Sequence, residues 1–118
     1  MILVDTSIWV DHLRHGRGPL DELLEQELVV MHPFVVGELA CGHLHPRKEI
    51  LRLLATLPHL NIAQHAEVLH LIEARGLAGS GLGWVDAHLL AATLIAGTTL
   101  LTRDRDLRRV ASRIGVAA

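Results

Sequence analysis

The sequence has no tyrosine, one phenylalanine and two tryptophans. A core with so few rings must be built from Leu, Val, Ile and Ala. There is one cysteine, Cys41. That excludes a disulfide framework and fits a reducing, cytoplasmic setting. Cys41 reads as a small buried packing residue rather than a nucleophile. Positive charge is not in excess, since 11 Lys and Arg stand against 13 Asp and Glu, net −2 with nine His uncounted. Domains that hold nucleic acid by bulk attraction are usually basic, so any such role needs a local basic face. Long hydrophobic runs are also missing. The longest uncharged stretch, Ala87 to Thr102, is broken by His88, Gly97 and threonines and is too short to cross a bilayer. Met1 leads straight into apolar residues without a charged leader, so no signal peptide and no membrane association are expected.

What the chain has is apolar aliphatic side chains. Half of its 118 residues are hydrophobic, enough for one domain with a substantial core. Short apolar runs alternate with helix-like segments, the pattern of an α/β domain with a mostly parallel sheet between helices. Ile2 to Val4, Leu28 to Met31, Leu60 to Ala63 and Thr98 to Leu101 read as strands, and Val116 to Ala118 as a further edge strand. Helices are expected from Thr6 or Ser7, as cap, to His15, and from Pro19 through Glu27. Others are expected from Pro33 to about Leu44, Pro46 to about Leu57, Gln64 to Arg75, Trp84 to Ala96 and Asp104 to Ile114. Proline at helix starts and Gly16 and Gly97 at helix ends supply the boundaries. GLAGSGLG, Gly76 to Gly83, reads as the flexible loop.

Four acids fall in unusual places. Asp5 ends the first strand, and Asp104 follows the last strong strand by a short turn. Asp86 opens the helix leading into that strand. Glu38 lies in VVGELACG, an apolar stretch, which suggests a carboxylate on a buried helix face. In parallel α/β sheets ligands bind beyond the carboxyl ends of the strands. The economical reading is that all four acids converge there. Close carboxylates repel one another, so they take up protons or hold a cation. Oxygen-only ligands select hard ions such as magnesium or manganese. Such a centre suits phosphodiester hydrolysis. Taken singly, Asp5, Asp86 and Asp104 also read as helix N-caps.

Other features are less specific. The histidines lack the cysteine pairs or H-E-x-x-H spacing of a zinc site, and His88 stands nearest the acids. No G-x-S-x-G or G-x-G-x-x-G element occurs. Trp9 and Trp84 read as core, with base stacking as the other option. From Thr102 to Ala118 five arginines face two aspartates, giving either a solvated helix face or a basic patch.

The segments VDTSIWVDHL, PFVVGELACG and GLGWVDAHLLAATLIAGTTLLTRDRDL resemble the PIN domain, and within it the VapC toxins of type II toxin–antitoxin pairs. The similarity spans Ile2 to about Gly115. It implies a three-layer α/β fold and a magnesium- or manganese-dependent endoribonuclease. By matching position, Asp5, Glu38, Asp86 and Asp104 would form the catalytic acids, with Asp5, Asp86 and Asp104 on the metal. Thr6, Ser7, Thr102 and Arg103 would support the centre or the substrate. Asp106 ranks below Asp104. The resemblance also implies RNA as substrate, a homodimer, and a cognate antitoxin through which alone DNA is reached. The alternative is a PIN-like interaction module that has lost turnover. A haloacid-dehalogenase-like phosphatase needs an acid where Ser7 stands. A receiver domain needs an acid after its third strand and a late lysine, and the only lysine is Lys48.

Overall fold

The computed structural model describes all 118 residues. Its elements run β1 (Ile2–Val4), α1 (Thr6–His15), α2 (Pro19–Glu25), β2 (Val29–Val30), α3 (Pro33–Ala40), α4 (Arg47–Thr56), α5 (His65–Ala74), α6 (Trp84–Ala96), β3 (Thr99–Leu101) and α7 (Arg105–Arg113). The three strands pair in parallel in the order β2-β1-β3. This is the α/β architecture expected, a parallel sheet flanked by helices.

β1 is central, and its residues Leu3 and Val4 are fully buried. Apolar strands without alternation are what a sheet covered on both faces requires. The longest helix, α6, is buried without interruption from Ala87 to Thr93. Its run of Ala, Leu and Thr suits it to a position enclosed on all sides. α7 is the opposite case. It buries Leu107, Val110 and Ala111 along one stripe and exposes its arginines.

The helix boundaries differ from expectation at three places. Asp5, not Thr6 or Ser7, caps α1, its Oδ1 accepting the Thr6 amide at 2.8 Å. α3 stops at Ala40 rather than near Leu44. The Arg47 guanidinium donates to the Ala40 and Gly42 carbonyls at 2.8 and 3.3 Å, satisfying acceptors that a longer helix would have used. α2 ends at Glu25, and Glu27 has a positive φ of 55°, which no helix continues.

Two expected strands are reduced to single bridges. Leu60 to Ala63 forms no strand. The chain touches the sheet one step earlier, where Met31 donates to Pro58 at 2.7 Å and Leu60 donates back to Met31 at 2.8 Å. At the other edge Ala117 bridges to Leu100.

Three side chains lie elsewhere than expected. Cys41 is exposed, because α3 ends at it and turns it outward. Glu38 is exposed too, since Val35 and Leu39 take the inward positions of α3. Trp9 is core at 3% exposure, but Trp84, at the first turn of α6, remains 41% exposed. No helix is long and apolar enough to cross a membrane.

Candidate metal and nuclease site

Parallel pairing sets Val4 opposite Leu101, so the residues following each strand emerge side by side. The Asp5 amide extends the ladder by donating to the Leu101 carbonyl at 2.9 Å. Beyond that point side chains take over. Thr102 Oγ1 donates to Asp5 Oδ2 at 2.7 Å and accepts the Asp104 amide at 3.0 Å. Ser7 Oγ donates to the same Asp5 oxygen at 3.0 Å and accepts the Arg103 amide at 3.0 Å. Each hydroxyl spends its one proton on Asp5 and its lone pairs on the turn after β3. Asp5 is buried, and three donors reach its two oxygens. It therefore both caps its own helix and ties β1 to the start of α7.

Asp104 caps α7, accepting the Leu107 amide through Oδ1 at 2.9 Å. Asp86 lies in the first turn of α6 and accepts the Gly83 amide through Oδ2 at 3.1 Å. Glu38 is reached from across the site, where the Thr6 hydroxyl donates to its Oε1 at 2.7 Å. In each of these three carboxylates the other oxygen has no donor from the protein.

Asp86 feels the other three acids. Burial raises the Asp86 carboxyl above the ordinary carboxylate value; the Gly83 amide acts against this, and the charges of Asp5, Asp104 and Glu38 add to the rise. The acids do not close onto a point, however, since no three acid, histidine or cysteine side chains stand within direct metal-holding distance. Asp5, Asp86 and Asp104 are thus near enough for Asp86 to feel the charge of the other two, but they form no finished ligand cage. The donor set still fits a hard divalent cation. It is all oxygen, carries repulsion that a cation would relieve, and has free lone pairs on three members. Magnesium in particular keeps several of its waters and needs only one or two carboxylates.

Around the acids, Arg103 pairs with Asp11 at 2.7 Å. Asp106 is taken up otherwise. It pairs with Arg109 at 2.8 Å, and Arg109 also donates to the Ser80 carbonyl at 2.7 Å. The glycine loop expected to be loose is thereby pinned to α7.

A file of rings borders the site, which the sparse aromatic content did not suggest. His32 meets Phe34 with centroids 5.1 Å apart, Phe34 meets His88 at 4.8 Å, His88 meets Trp84 at 4.8 Å, and Trp84 meets His65 at 5.0 Å. Burial, then the charge of His65, hold the His88 imidazole below the ordinary histidine value. His32 caps α3, its Nδ1 accepting the Phe34 amide at 3.0 Å. Its pKa is lowered to about 4, by burial first and then by His88 and His59. Its histidines come from the cap of α3, the start of α5 and the second turn of α6, so no local spacing signalled the file.

Comparison with known proteins bears on the family. The PIN domain family model matches residues 2–113. Ribonuclease VapC32, from two strains of Mycobacterium tuberculosis, is 46% identical over 118 residues, covering 99% of this chain and 95% of the relative. Among solved structures, PAE2754 from Pyrobaculum aerophilum superposes with a TM-score of 0.65 at 18% identity, covering 97% of this chain and 94% of that one. The last likeness speaks for the fold alone. With the family model matched over nearly the whole chain and a full-length relative so close, the chain belongs to the PIN-domain family, in its VapC type.

Proposed function

We propose that the chain is an endoribonuclease, dependent on magnesium or manganese, and the toxin of a toxin–antitoxin pair. The observation that carries the reading is the gathering of Asp5, Glu38, Asp86 and Asp104 at the carboxyl edge of the sheet, in a chain close to a protein named as a ribonuclease.

Asp5, Asp86 and Asp104 would hold the ion, with Glu38 facing it from α3. A divalent cation there supplies charge neutralisation at the phosphodiester and lowers the pKa of a bound water. The chain's own part is positioning. Thr102 and Ser7 fix Asp5. Thr6 fixes Glu38. The Gly83 amide fixes Asp86, and the first turn of α7 fixes Asp104. The raised proton affinity of Asp86 comes from burial first and from the apposed like charges second, and cation binding would oppose both. Arg103, exposed beside the turn, is a candidate for substrate phosphate once it leaves Asp11.

The partners that go with this reading are RNA as substrate, a cognate antitoxin and a second copy of the chain, all in the cytoplasm, with DNA reached only through the antitoxin. Leu53 on α4 and Ile95 on α6 are large and exposed, as such contacts need. A second reading is an interaction module without turnover. The open spacing of the acids favours it.

The deciding experiment uses the purified chain, free of antitoxin, with structured RNA. Cleavage is expected with magnesium or manganese. It should stop with chelator and fall by about 100-fold or more in Asp5→Asn, the scale at which removing a charge-stabilising group acts. Equal cleavage under all conditions sinks the metal-centre reading. No cleavage under any of them leaves the interaction module.

A further inference from the structure

An open cleft of about 590 Å³ lies between α1, the α1–α2 turn and the start of α7. Arg17, Arg103 and Arg108 line it, against the single carboxylate of Asp11. The chain as a whole is negative, so this local excess of cations is not a by-product of composition. The arginines differ in how they are occupied. Arg109 and Arg113 are spent on backbone carbonyls of Ser80 and Arg75, and Arg103 is paired with Asp11. Arg17 and Arg108 form no ion pair and no side-chain hydrogen bond within the chain.

The acid centre shares one wall residue with the cleft. Thr102 lines it, and the same residue's hydroxyl holds Asp5. An RNA strand whose scissile phosphate sits at the acids must leave the centre over some neighbouring surface. The acids themselves repel phosphate, whereas this cleft offers guanidinium groups, whose forked donors match phosphate oxygens in pairs.

We propose that the cleft is the track for the backbone phosphates of single-stranded RNA next to the scissile bond, with Arg17 and Arg108 as the groups that hold them. The proposal rests on the ribonuclease reading, but it concerns binding and is tested without catalysis. The full chain is kept in chelator, and binding of a short labelled single-stranded RNA is measured by filter retention over a salt series. The double variant Arg17→Gln/Arg108→Gln should bind roughly 10-fold more weakly at low salt. Its slope of log K against log salt should be shallower by about 1.4, or ~0.7 for each phosphate no longer neutralised. The double variant Lys48→Gln/Arg52→Gln removes the same charge from α4, outside the cleft, and should keep the wild-type slope.

Both cleft arginines are exposed and their guanidinium groups unbonded, so thermal melting should be unchanged. Wild-type affinity and slope in the cleft variant overturn the proposal. So does an equal loss in the α4 control, which would mean diffuse attraction, and so does an absence of RNA binding by the wild type. Intact RNA binding with a weakened complex with an acidic protein partner would give the cleft to that partner instead. A failure of metal-dependent cleavage, by contrast, bears on the nuclease reading and leaves this binding result standing.

Discussion

Thr102 shows how much rests on one hydroxyl. It bridges a buried carboxylate to the amide that starts the last turn before α7, joining Asp5 to Asp104 through a single oxygen. Replacing it by valine keeps the shape and removes both bonds. Asp5 would then lose its donor from the turn after β3 while still buried, a loss that costs about 1–3 kcal/mol. Thr102→Val should therefore lower stability by that amount in urea melts and reduce RNA cleavage, and Thr102→Ser should restore both. Unchanged melting and cleavage in the valine variant would show that Thr102 is not a clamp. The position of Asp5 was legible in the sequence because a carboxylate directly after an apolar strand has few places to go. The exposure of Glu38 was not. Apolar neighbours in sequence say nothing about which side of a short helix meets the core, and Val35 and Leu39 claim that side. Trp84 and Cys41 misled for a related reason. Both sit at helix ends, where the direction of the chain, and not residue type, sets exposure.

At the scale of elements, the loop from Gly76 to Gly83 is held against α7 at two points, the Arg109 bond to Ser80 and the close approach of Gly81 to Asp106. Gly81 has φ +88°, and a Cβ there would stand 2.5 Å from Asp106 Oδ2. Gly79 has φ +75° but open space around it. Gly79→Ala should thus cost only backbone strain, about 1–3 kcal/mol. Gly81→Ala should cost measurably more, because it also displaces Asp106 from Arg109. Paired urea melts give the difference, and equal losses would mean that the loop is not packed on α7. Glycine content marked this segment as a loop, and correctly so. Its anchoring was hidden because the partner residues lie further along the chain, on a helix whose charges looked merely solvated. Helix starts at Pro19 and Pro33 and stops at Gly16 and Gly97 were legible because they are local rules of φ and hydrogen bonding. The strand expected at Leu60 to Ala63 was not, since a single bridge depends on what lies opposite.

For the whole molecule, the buried histidines set an acid limit. His32 has a folded pKa of about 4 against an ordinary 6.5, so the folded state resists its protonation. A depressed histidine pKa contributes stability that is complete above the unfolded value and is lost as pH falls from about 6.5 towards 4. For this fully buried ring the gap between the two values corresponds to roughly 3 kcal/mol. His32→Asn keeps an acceptor for the Phe34 amide without a titrating group. Its stability should fall less steeply over that range in melts taken between pH 7 and 4, with the remaining slope due in part to His88. Identical slopes would place the acid sensitivity elsewhere.

The bond between Asp5 and Thr102 has one more consequence, for the synthesis of the protein. It joins positions 97 residues apart, and the other acids, Glu38, Asp86 and Asp104, are spread along the chain between and just beyond them. β1 can take its place beside β3 only after synthesis has passed Leu101. A growing chain therefore carries Asp5 well before it has the edge that would align that acid with the others. If the finished protein cuts RNA, the ribosome building it faces an incomplete blade until the last strand and α7 are out.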